Sequence, residues 1–195
     1  MPKNRDFNTH ISESIELKKR IMADEAFLSK IDAFVDMAVT AYQNGKKILF
    51  CGNGGSAADA QHLAAELSGR YMYDRPPLYA EALHVNSSYI TAVANDYSFD
   101  MVYSRMLQAA GNEGDILVAF STSGKSANII NALKKAHELG MKTIAFTGRS
   151  GGLAKDIADV LLNVPSDKTP IIQESHIMIG HIVCEWIEKE IFPKK

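Results

Sequence analysis

Five short apolar runs, each followed by sequence with helical spacing, constrain the fold of this chain more than any other feature. The apolar runs cover residues 47–51, 78–85, 116–120, 142–147 and 160–164. Helical patterns cover residues 57–68, 87–94, 99–110, 126–139 and 169 to about 191. Strands that alternate with helices form a parallel sheet with helices on both faces. We therefore predict a single α/β domain built on a parallel sheet.

Two further amphipathic stretches, residues 11–23 and 27–44, precede the first strand. Apolar residues recur in them at three- and four-residue spacing, and Gly45 ends the second stretch. Two interpretations stay open, because such helices can pack on the sheet or on another subunit. We divide the chain into a helical segment for packing or oligomerisation, residues 1–45, and an α/β core that binds the ligand, residues 46–195.

The composition is that of an ordinary globular domain and argues against several classes of partner. The chain has 195 residues, of which 46% are hydrophobic and 23% are charged, and its net charge is −2. This length suits one domain, and the weak charge provides no basic field for nucleic acid. Neither a membrane-spanning run nor a signal peptide is evident, so we expect no membrane partner and a cytoplasmic location. Cys51 and Cys184 are expected to be buried and reduced.

The apolar run 116–120 leads into a loop with four hydroxyl residues, one glycine and one lysine. We call residues 121–126 the serine loop, and its hydroxyl residues are Ser121, Thr122, Ser123 and Ser126. A helix that begins after such a loop presents unpaired backbone N–H groups and the positive end of its dipole. The serine loop therefore predicts a phosphate site in which these hydroxyls hold the phosphate. The alternative is a hydroxyl-rich turn that only caps the helix.

The end of the serine loop, Gly124-Lys125-Ser126, invites comparison with the nucleotide-binding P-loop. That motif requires another glycine five positions before Gly124, and Ala119 occupies this position. The comparison therefore fails at a required residue, and a small phosphorylated metabolite is favoured over a nucleoside triphosphate.

The first apolar run also ends in a loop, Gly52-Asn53-Gly54-Gly55-Ser56-Ala57, which we call the glycine loop. It matches the looser dinucleotide fingerprint, but the acidic residue expected at the end of the next strand is not evident. Two other interpretations remain: a turn that brings a helix close to the sheet, or one half of a substrate site shared with the serine loop. Ligands of parallel α/β sheets bind at the carboxyl ends of the strands, where both loops are expected.

Four polar side chains on two helical stretches are candidates for the chemistry of the site. His62 and Glu66 are four residues apart and share one helix face, whereas Gln173 and His181 are eight apart, about two turns. A solvated surface pair and a core histidine are the alternatives. Burial without partners is costly, so convergence on one site is the economical explanation. Glu66 would then act as base and His181 as acid, and the set offers ligands for zinc, although a glutamine ligand is atypical.

Together these residues resemble the sugar isomerase (SIS) domain family, and in particular its members that act on heptose phosphates. The matching strings are residues 51–62, 65–70, 94–96, 121–126 and 172–176. The likeness covers nearly the whole chain, including the two leading helices. It implies a flavodoxin-like three-layer sandwich and a homotetramer with active sites at the subunit interfaces.

The resemblance implies an aldose–ketose isomerase that converts D-sedoheptulose 7-phosphate into D-glycero-D-manno-heptose 7-phosphate through a cis-enediol. This reaction is the entry to ADP-heptose and to the heptose of lipopolysaccharide or capsule. The resemblance implies one Zn²⁺ per subunit, held by His62, Glu66, Gln173 and His181, with Glu66 as base and His181 as acid. The residues that would contact the substrate are Asn53, Gly54, Gly55, Ser56, Glu66, Asn95, Asp96, Ser121, Thr122, Ser123, Ser126 and Gln173.

Other functions within the same family remain open. One relative of these isomerases is a non-catalytic, tetrameric partner of a bacterial replication initiator, and other SIS proteins isomerise or sense different sugar phosphates. The complete set of catalytic and ligand residues favours an enzyme. Pro170 and Ile171 depart from the more polar pair expected there, and Lys125 lies within the serine loop, but none of them occupies a proposed catalytic position.

Overall fold

The computed structural model describes residues 6–194 and contains a five-stranded sheet in which every strand is parallel to its neighbours. The strands are β1 (Ile48–Gly52), β2 (Ala80–Ala82), β3 (Ile116–Ser121), β4 (Lys142–Thr147) and β5 (Val160–Asn163). Their order across the sheet is β2-β1-β3-β4-β5, the order of flavodoxin-like folds. The predicted parallel α/β fold is confirmed.

Seven α-helices among the described residues connect and cover the strands. They are α1 (Phe7–Met22), α2 (Glu25–Gln43), α3 (Gly55–Ser68), α4 (Ser87–Asp96), α5 (Val102–Ala110), α6 (Ala127–Glu138) and α7 (Thr169–Ile191). Successive residues of a strand point to opposite faces of the sheet. Ile48 and Phe50 of β1 accordingly enter one hydrophobic cluster, and Leu49 and Cys51 enter another.

These two hydrophobic clusters define the three layers of the domain. The first cluster joins the sheet to α1, α2, α3 and α7 and includes the rings of Phe50, Phe120 and Phe146. The second joins the sheet to α4, α5 and α6 and includes Leu117 and Leu133. Burial of each such side chain contributes about 1.5–3 kcal/mol. The sheet is therefore anchored on both faces, which gives the loops at its carboxyl edge a rigid base.

Strand β2 is shorter than the apolar run 78–85 predicts. Only Ala80–Ala82 pairs in this edge strand, against Ile48–Phe50 of its single partner β1, although β1 itself continues to Gly52. Leu78 and Leu83, on either side of the paired residues, are nevertheless buried. The apolar run therefore reflects the burial of its side chains and not the length of the hydrogen-bonded strand.

Among the helix boundaries that differ from the sequence prediction, two concern candidate substrate residues. Helix α3, predicted from residue 57, begins at Gly55, because Gly54 with φ 57° makes the turn out of the strand region. Helix α4 continues to Asp96, so that Asn95 and Asp96 lie in its last turn. Both candidate substrate residues are consequently held by a helix instead of a loop.

The N-terminal helices pack on the first hydrophobic cluster of their own chain. Helix α2 buries Phe27 and Phe34, and its N-terminus is capped by Asp24, whose side chain accepts a hydrogen bond from the Phe27 N–H. Helix α1 buries Leu17 and Ile21. Packing within the chain accounts for one face of α1, and contact with another subunit stays a prediction.

Among residues 6–194, no helix combines the length and the apolar character needed to cross a membrane.

Both cysteines, Cys51 and Cys184, are free and buried, as predicted. Burial raises the pKa of both thiols well above its usual range. Each thiol therefore stays protonated and behaves as a small apolar side chain.

Candidate active site

The glycine loop and the serine loop lie side by side because the strands that lead into them are neighbours. Gly52 of β1 is in register with Phe120 of β3 at the carboxyl ends of both strands. Helix α3 begins within the glycine loop, at Gly55, and α6 begins directly after the serine loop, at Ala127. Two helix N-termini, each with unpaired N–H groups, thus lie at the same edge of the sheet, where parallel α/β folds bind their ligands.

Two glycines of the glycine loop are in close contact with residues of helices α3 and α7. A β-carbon at Gly52 would lie 2.3 Å from the carbonyl oxygen of Ser56, and one at Gly55 would lie 2.8 Å from Nε2 of Gln173. The Gln173 amide on α7 also donates to Ser56 Oγ at 3.4 Å. The loop therefore brings α3 close to the sheet and also brings three predicted substrate residues, Gly55, Ser56 and Gln173, together.

Two buried residues that the sequence analysis missed hold the glycine loop in place. The side chains of Asn53 and Asn128 donate to each other, with both distances 2.9 Å, and Asn128 on α6 is only 2% exposed. The hydroxyl of Tyr103, on α5, donates to the carbonyl oxygen of Gly52. The signal for Asn128 was a polar residue at the start of an otherwise apolar helix face, directly after the serine loop.

The hydroxyls of the serine loop are not used to cap α6. Ser126 occupies the N-cap position, yet its side chain makes no capping hydrogen bond and lies 3.3 Å from the hydroxyl of Ser121. Gly124 has φ 62°, and a β-carbon there would lie 2.2 Å from the carbonyl oxygen of Gly151, so this position requires glycine. The structure thus favours a ligand site over the capping alternative.

Beyond the serine loop lies a pocket of about 230 Å³ lined by Thr122, Ser123, Lys125 and Arg149 among others. The guanidinium Nε of Arg149 lies 2.8 Å from Asp167 Oδ2 in an exposed ion pair. Arg149 follows β4 at the carboxyl edge of the sheet, and this position was the signal that the sequence analysis did not use. Two cationic side chains therefore lie beside the predicted phosphate loop.

Three potential metal ligands converge where α3 packs on α7. The Nε2 atom of His62 lies 3.0 Å from Glu66 Oε1 and 3.1 Å from His181 Nε2. One ligand atom from each of the three residues lies within 4.8 Å of the other two. A β-carbon at Gly180 would lie 2.3 Å from Leu63 Cδ1, so glycine is what lets the two helices come this close. The His62–Glu66 pair is therefore part of a larger group, contrary to the surface-pair alternative.

This group fits a divalent metal such as zinc. Imidazole nitrogens and carboxylate oxygens are zinc ligands, and tetrahedral coordination at the usual bond lengths separates ligand atoms by roughly 3.3 Å. The observed separations of 3.0 and 3.1 Å are close to that value. Gln173 lies further back along α7, against Ser56 at the start of α3. Its place as a fourth ligand stays a prediction.

The surroundings of His181 favour the neutral imidazole, which is the form that binds metals. Partial burial lowers the pKa of His181, the neighbouring His62 lowers it further, and Glu66 acts in the opposite direction. The ring of Tyr71 stacks on the imidazole, with the centroids 5.8 Å apart and the planes 19° from parallel.

Asp59 is a further acidic residue near the group that the sequence analysis missed. It precedes His62 by three residues on α3, and one of its carboxylate oxygens is buried without a hydrogen-bond partner among the described residues. Burial raises the pKa of Asp59 to about 6, and His62 opposes the shift. Only a single acidic residue among alanines marked this position in the sequence.

Two predicted substrate residues, and a further histidine of α7, lie outside this convergence. Asn95 and Asp96 are exposed, and the Asn95 amide donates to Asp96 Oδ1 at 2.9 Å. His176 is fully buried: its Nε2 lies 3.1 Å from the carbonyl oxygen of Thr147. It is a core histidine, whereas substrate contact by Asn95 and Asp96 stays a prediction.

Comparison with known proteins points to the same family as the motifs of the candidate site. A family model described as SIS domain matches residues 9–148. The phosphoheptose isomerase of Clostridium acetobutylicum is 50% identical over 185 residues, which cover 95% of this chain and 94% of that relative. Two solved phosphoheptose isomerases each superpose on 93% of this chain and 96% of their own. The enzyme from Neisseria gonorrhoeae is 45% identical to this chain in sequence, with a TM-score of 0.87. The enzyme from Francisella tularensis is 40% identical, with a TM-score of 0.89.

The parallel sheet, the serine loop and the family match define a SIS-domain protein. Sequence identities near 50% to phosphoheptose isomerases, over almost the full length of this chain and of each relative, narrow the class further. The chain belongs to the SIS domain family and, within it, to the phosphoheptose isomerases.

Proposed function

We propose that this protein is an aldose–ketose isomerase that converts D-sedoheptulose 7-phosphate into D-glycero-D-manno-heptose 7-phosphate, the first step of ADP-heptose biosynthesis. The observation that carries the proposal is the convergence of His62, Glu66 and His181 on the two helices that also bring Ser56 and Gln173 together. A base, an acid and a metal-ligand group, on two helices that begin at the carboxyl edge of the sheet, are what an enediol reaction requires.

The serine loop would bind the phosphate end of the substrate. The Ser126 hydroxyl makes no capping bond and so is available as a donor, and the positive end of the α6 dipole favours an anion at the same place. The glycine loop and Gln173 would orient the sugar hydroxyls, with Asn53 held in place by Asn128. Binding at both ends would place the reacting carbons towards Glu66.

Proton transfer would be shared between Glu66 and His181. The Glu66 carboxylate would remove a proton from C1 of the ketose and return it to C2 of the cis-enediol, while the His181 imidazole would carry the hydroxyl proton between O1 and O2. Partial burial and the neighbouring His62 lower the pKa of His181, which favours release of a proton that the imidazole has accepted. Zinc, held by His62, Glu66, Gln173 and His181, would polarise the oxygens of the substrate.

The remaining part of the proposal concerns assembly and location. Several apolar side chains of α1 face solvent, and they are Phe7, Ile11, Ile15 and Met22. Exposed apolar stripes of this kind typically mark interfaces. They support the proposal that residues 1–45 contribute to a homotetramer with interfacial active sites, with residues 46–195 as the catalytic core in the cytoplasm.

The test is isomerisation of sedoheptulose 7-phosphate by purified protein of known metal content, before and after chelation and with zinc restored. Turnover that chelation removes and zinc restores supports both the reaction and the metal. If turnover is the same before and after chelation, the metal has no part in the reaction. If the folded, zinc-loaded protein shows no turnover, the proposed isomerase activity is wrong. Glu66→Gln should abolish turnover, whereas Glu138→Gln, at an exposed residue of α6, should leave it unchanged.

A further inference from the structure

A buried ion pair, Arg75–Glu188, lies beside the candidate zinc ligands and has no role in the chemistry proposed above. Arg75 Nε is 3.1 Å from Glu188 Oε1, and the two side chains are 2% and 0% exposed. Two charges are costly to remove from water, and a buried pair persists only where further hydrogen bonds satisfy both groups. The bonds that satisfy this pair lead to the two helices that carry His62, Glu66 and His181.

Arg75 binds the C-terminal end of α3. Its Nη2 donates to the carbonyl oxygen of Glu66 at 2.8 Å, and its Nη1 donates to those of Leu67 at 2.7 Å and Gly69 at 3.1 Å. The last carbonyls of a helix have no partner within the helix, and a cation is favourable at this end. Arg75 therefore fixes the turn of α3 that carries Glu66.

Glu188 ties the segment after α3 to α7. Its Oε1 accepts from the backbone N–H of Tyr71 at 3.0 Å, and its Oε2 accepts from that of Met72 at 2.8 Å. On α7, positions 181 and 188 are about two turns apart and so lie on the same face. The Glu188 carboxylate therefore fixes the backbone of Tyr71 relative to His181.

Tyr71 in turn restrains the His181 ring. The two rings are stacked, with centroids 5.8 Å apart and planes 19° from parallel, while the His62 ring meets His181 at 4.9 Å and 63°. Rings on two sides limit rotation of the imidazole. The His181 Nε2 atom consequently stays directed at His62 Nε2, 3.1 Å away.

We infer that Arg75, Glu188 and Tyr71 are positioning residues of the metal centre. The ion pair fixes the end of α3 against α7, and the Tyr71 ring fixes the plane of His181. This inference rests on the proposed zinc site. Groups that orient metal ligands change metal affinity by 10- to 100-fold when they are removed, so the network should be visible in metal binding without any assay of turnover.

The experiment measures the Zn²⁺ affinity of the full chain by competition with a chromophoric chelator, together with the absorption spectrum of the Co²⁺ form. Arg75→Met/Glu188→Leu removes both charges and so leaves no buried charge unpaired. Its Zn²⁺ affinity should fall by about tenfold or more, with altered Co²⁺ bands. The matched control is Lys47→Met/Asp115→Leu, which removes another largely buried ion pair, located just before the amino ends of β1 and β3. The control should keep the affinity of the wild type.

Tyr71 provides a second, independent arm that leaves the ion pair intact. Tyr71→Ala should weaken Zn²⁺ binding, and Tyr71→Phe, which keeps the ring, should restore it. Glu188→Gln, which keeps the shape of the side chain, replaces the double variant if that protein does not fold. It should also weaken the binding.

Two results would overturn the inference. One is a Zn²⁺ affinity like that of the wild type in Tyr71→Ala and in the charge-pair variant. The other is an equal loss of affinity in the Lys47→Met/Asp115→Leu control. A different result, in which the wild type binds Zn²⁺ no better than His62→Ala/His181→Ala, would contradict the proposed metal site and not the network.

Discussion

The amides of Asn53 and Asn128 exchange two hydrogen bonds of 2.9 Å although the residues are 75 positions apart in the sequence. This pair joins the glycine loop to the start of α6, and it determines which way the Asn53 amide faces. Because Asn128 Oδ1 also accepts from the Ile129 N–H at 3.0 Å, the orientation is fixed from the α6 side.

Loss of this pair should affect substrate binding more than folding. Asn128→Leu leaves the Asn53 amide without its partner, which costs about 1–3 kcal/mol of stability. We expect KM for sedoheptulose 7-phosphate to rise by about tenfold or more, equivalent to about 1.4 kcal/mol or more. Steady-state kinetics and urea unfolding measure the two effects. Asn131→Ala, on the same helix, is the control and should leave KM unchanged.

Ser126→Ala should separate phosphate binding from helix stability. Ser126 makes no capping bond, so the substitution removes only the long contact with Ser121. We expect a melting temperature close to that of the wild type and a clearly weaker affinity for inorganic phosphate, measured by calorimetry. Ser88→Ala, at an exposed residue, serves as control. A large drop in melting temperature with unchanged phosphate affinity would restore the capping interpretation.

Substitution of Gly52 and substitution of Gly55, both in close contact with neighbouring atoms, should have different effects on the protein. A methyl group at Gly52 meets the backbone of Ser56, which cannot move freely, whereas one at Gly55 meets the end of the flexible Gln173 side chain. Gly52→Ala should therefore lower the free energy of unfolding by about 2 kcal/mol or more. Gly55→Ala should retain most of the stability and lose turnover, because it displaces the Gln173 amide. Chemical unfolding and kinetics on both variants provide the comparison.

His176 should make the fold sensitive to acid. Burial lowers its pKa to about 4 in the folded protein, with a weaker opposing effect from its bond to Thr147. A lowered histidine pKa means that the unfolded chain binds the proton more readily. The stability contribution is therefore complete above about pH 6.5 and is lost as pH falls towards 4, by about 3 kcal/mol in total.

Urea unfolding between pH 7 and pH 4.5 tests this pH dependence. His176→Gln should lose stability less steeply than the wild type over the interval, while His10→Gln, at an exposed residue, should follow the wild-type curve. Parallel curves for the wild type and His176→Gln would contradict the assignment.

Much of the architecture could be predicted from the sequence, because hydrophobic periodicity reports burial. Five apolar runs became five strands, and the four-residue spacing of His62 and Glu66 placed both on one face of α3. The length of strand β2 was overestimated because Leu78 and Leu83 are buried although they do not pair with β1. An apolar run indicates burial and does not indicate how many of its residues pair with a neighbouring strand.

The parts of the site that arise from tertiary packing could not be predicted in this way. The contact between His181 and His62 depends on the crossing of α3 and α7 at Gly180, and no local pattern encodes that crossing. The same holds for Arg75, which reads as an ordinary surface residue but is buried against Glu188. Only the fold decides which distant polar residues meet.

The division of the metal-ligand group between α3 and α7 has a consequence for biogenesis. All five strands precede α7 in the chain, so a ribosome produces the complete sheet before it produces His181 and Glu188. A nascent chain can therefore bury most of its two hydrophobic clusters while His62 and Glu66 still face an open groove. The complete group of three candidate ligands therefore forms only when α7 has been synthesised and has docked on α3.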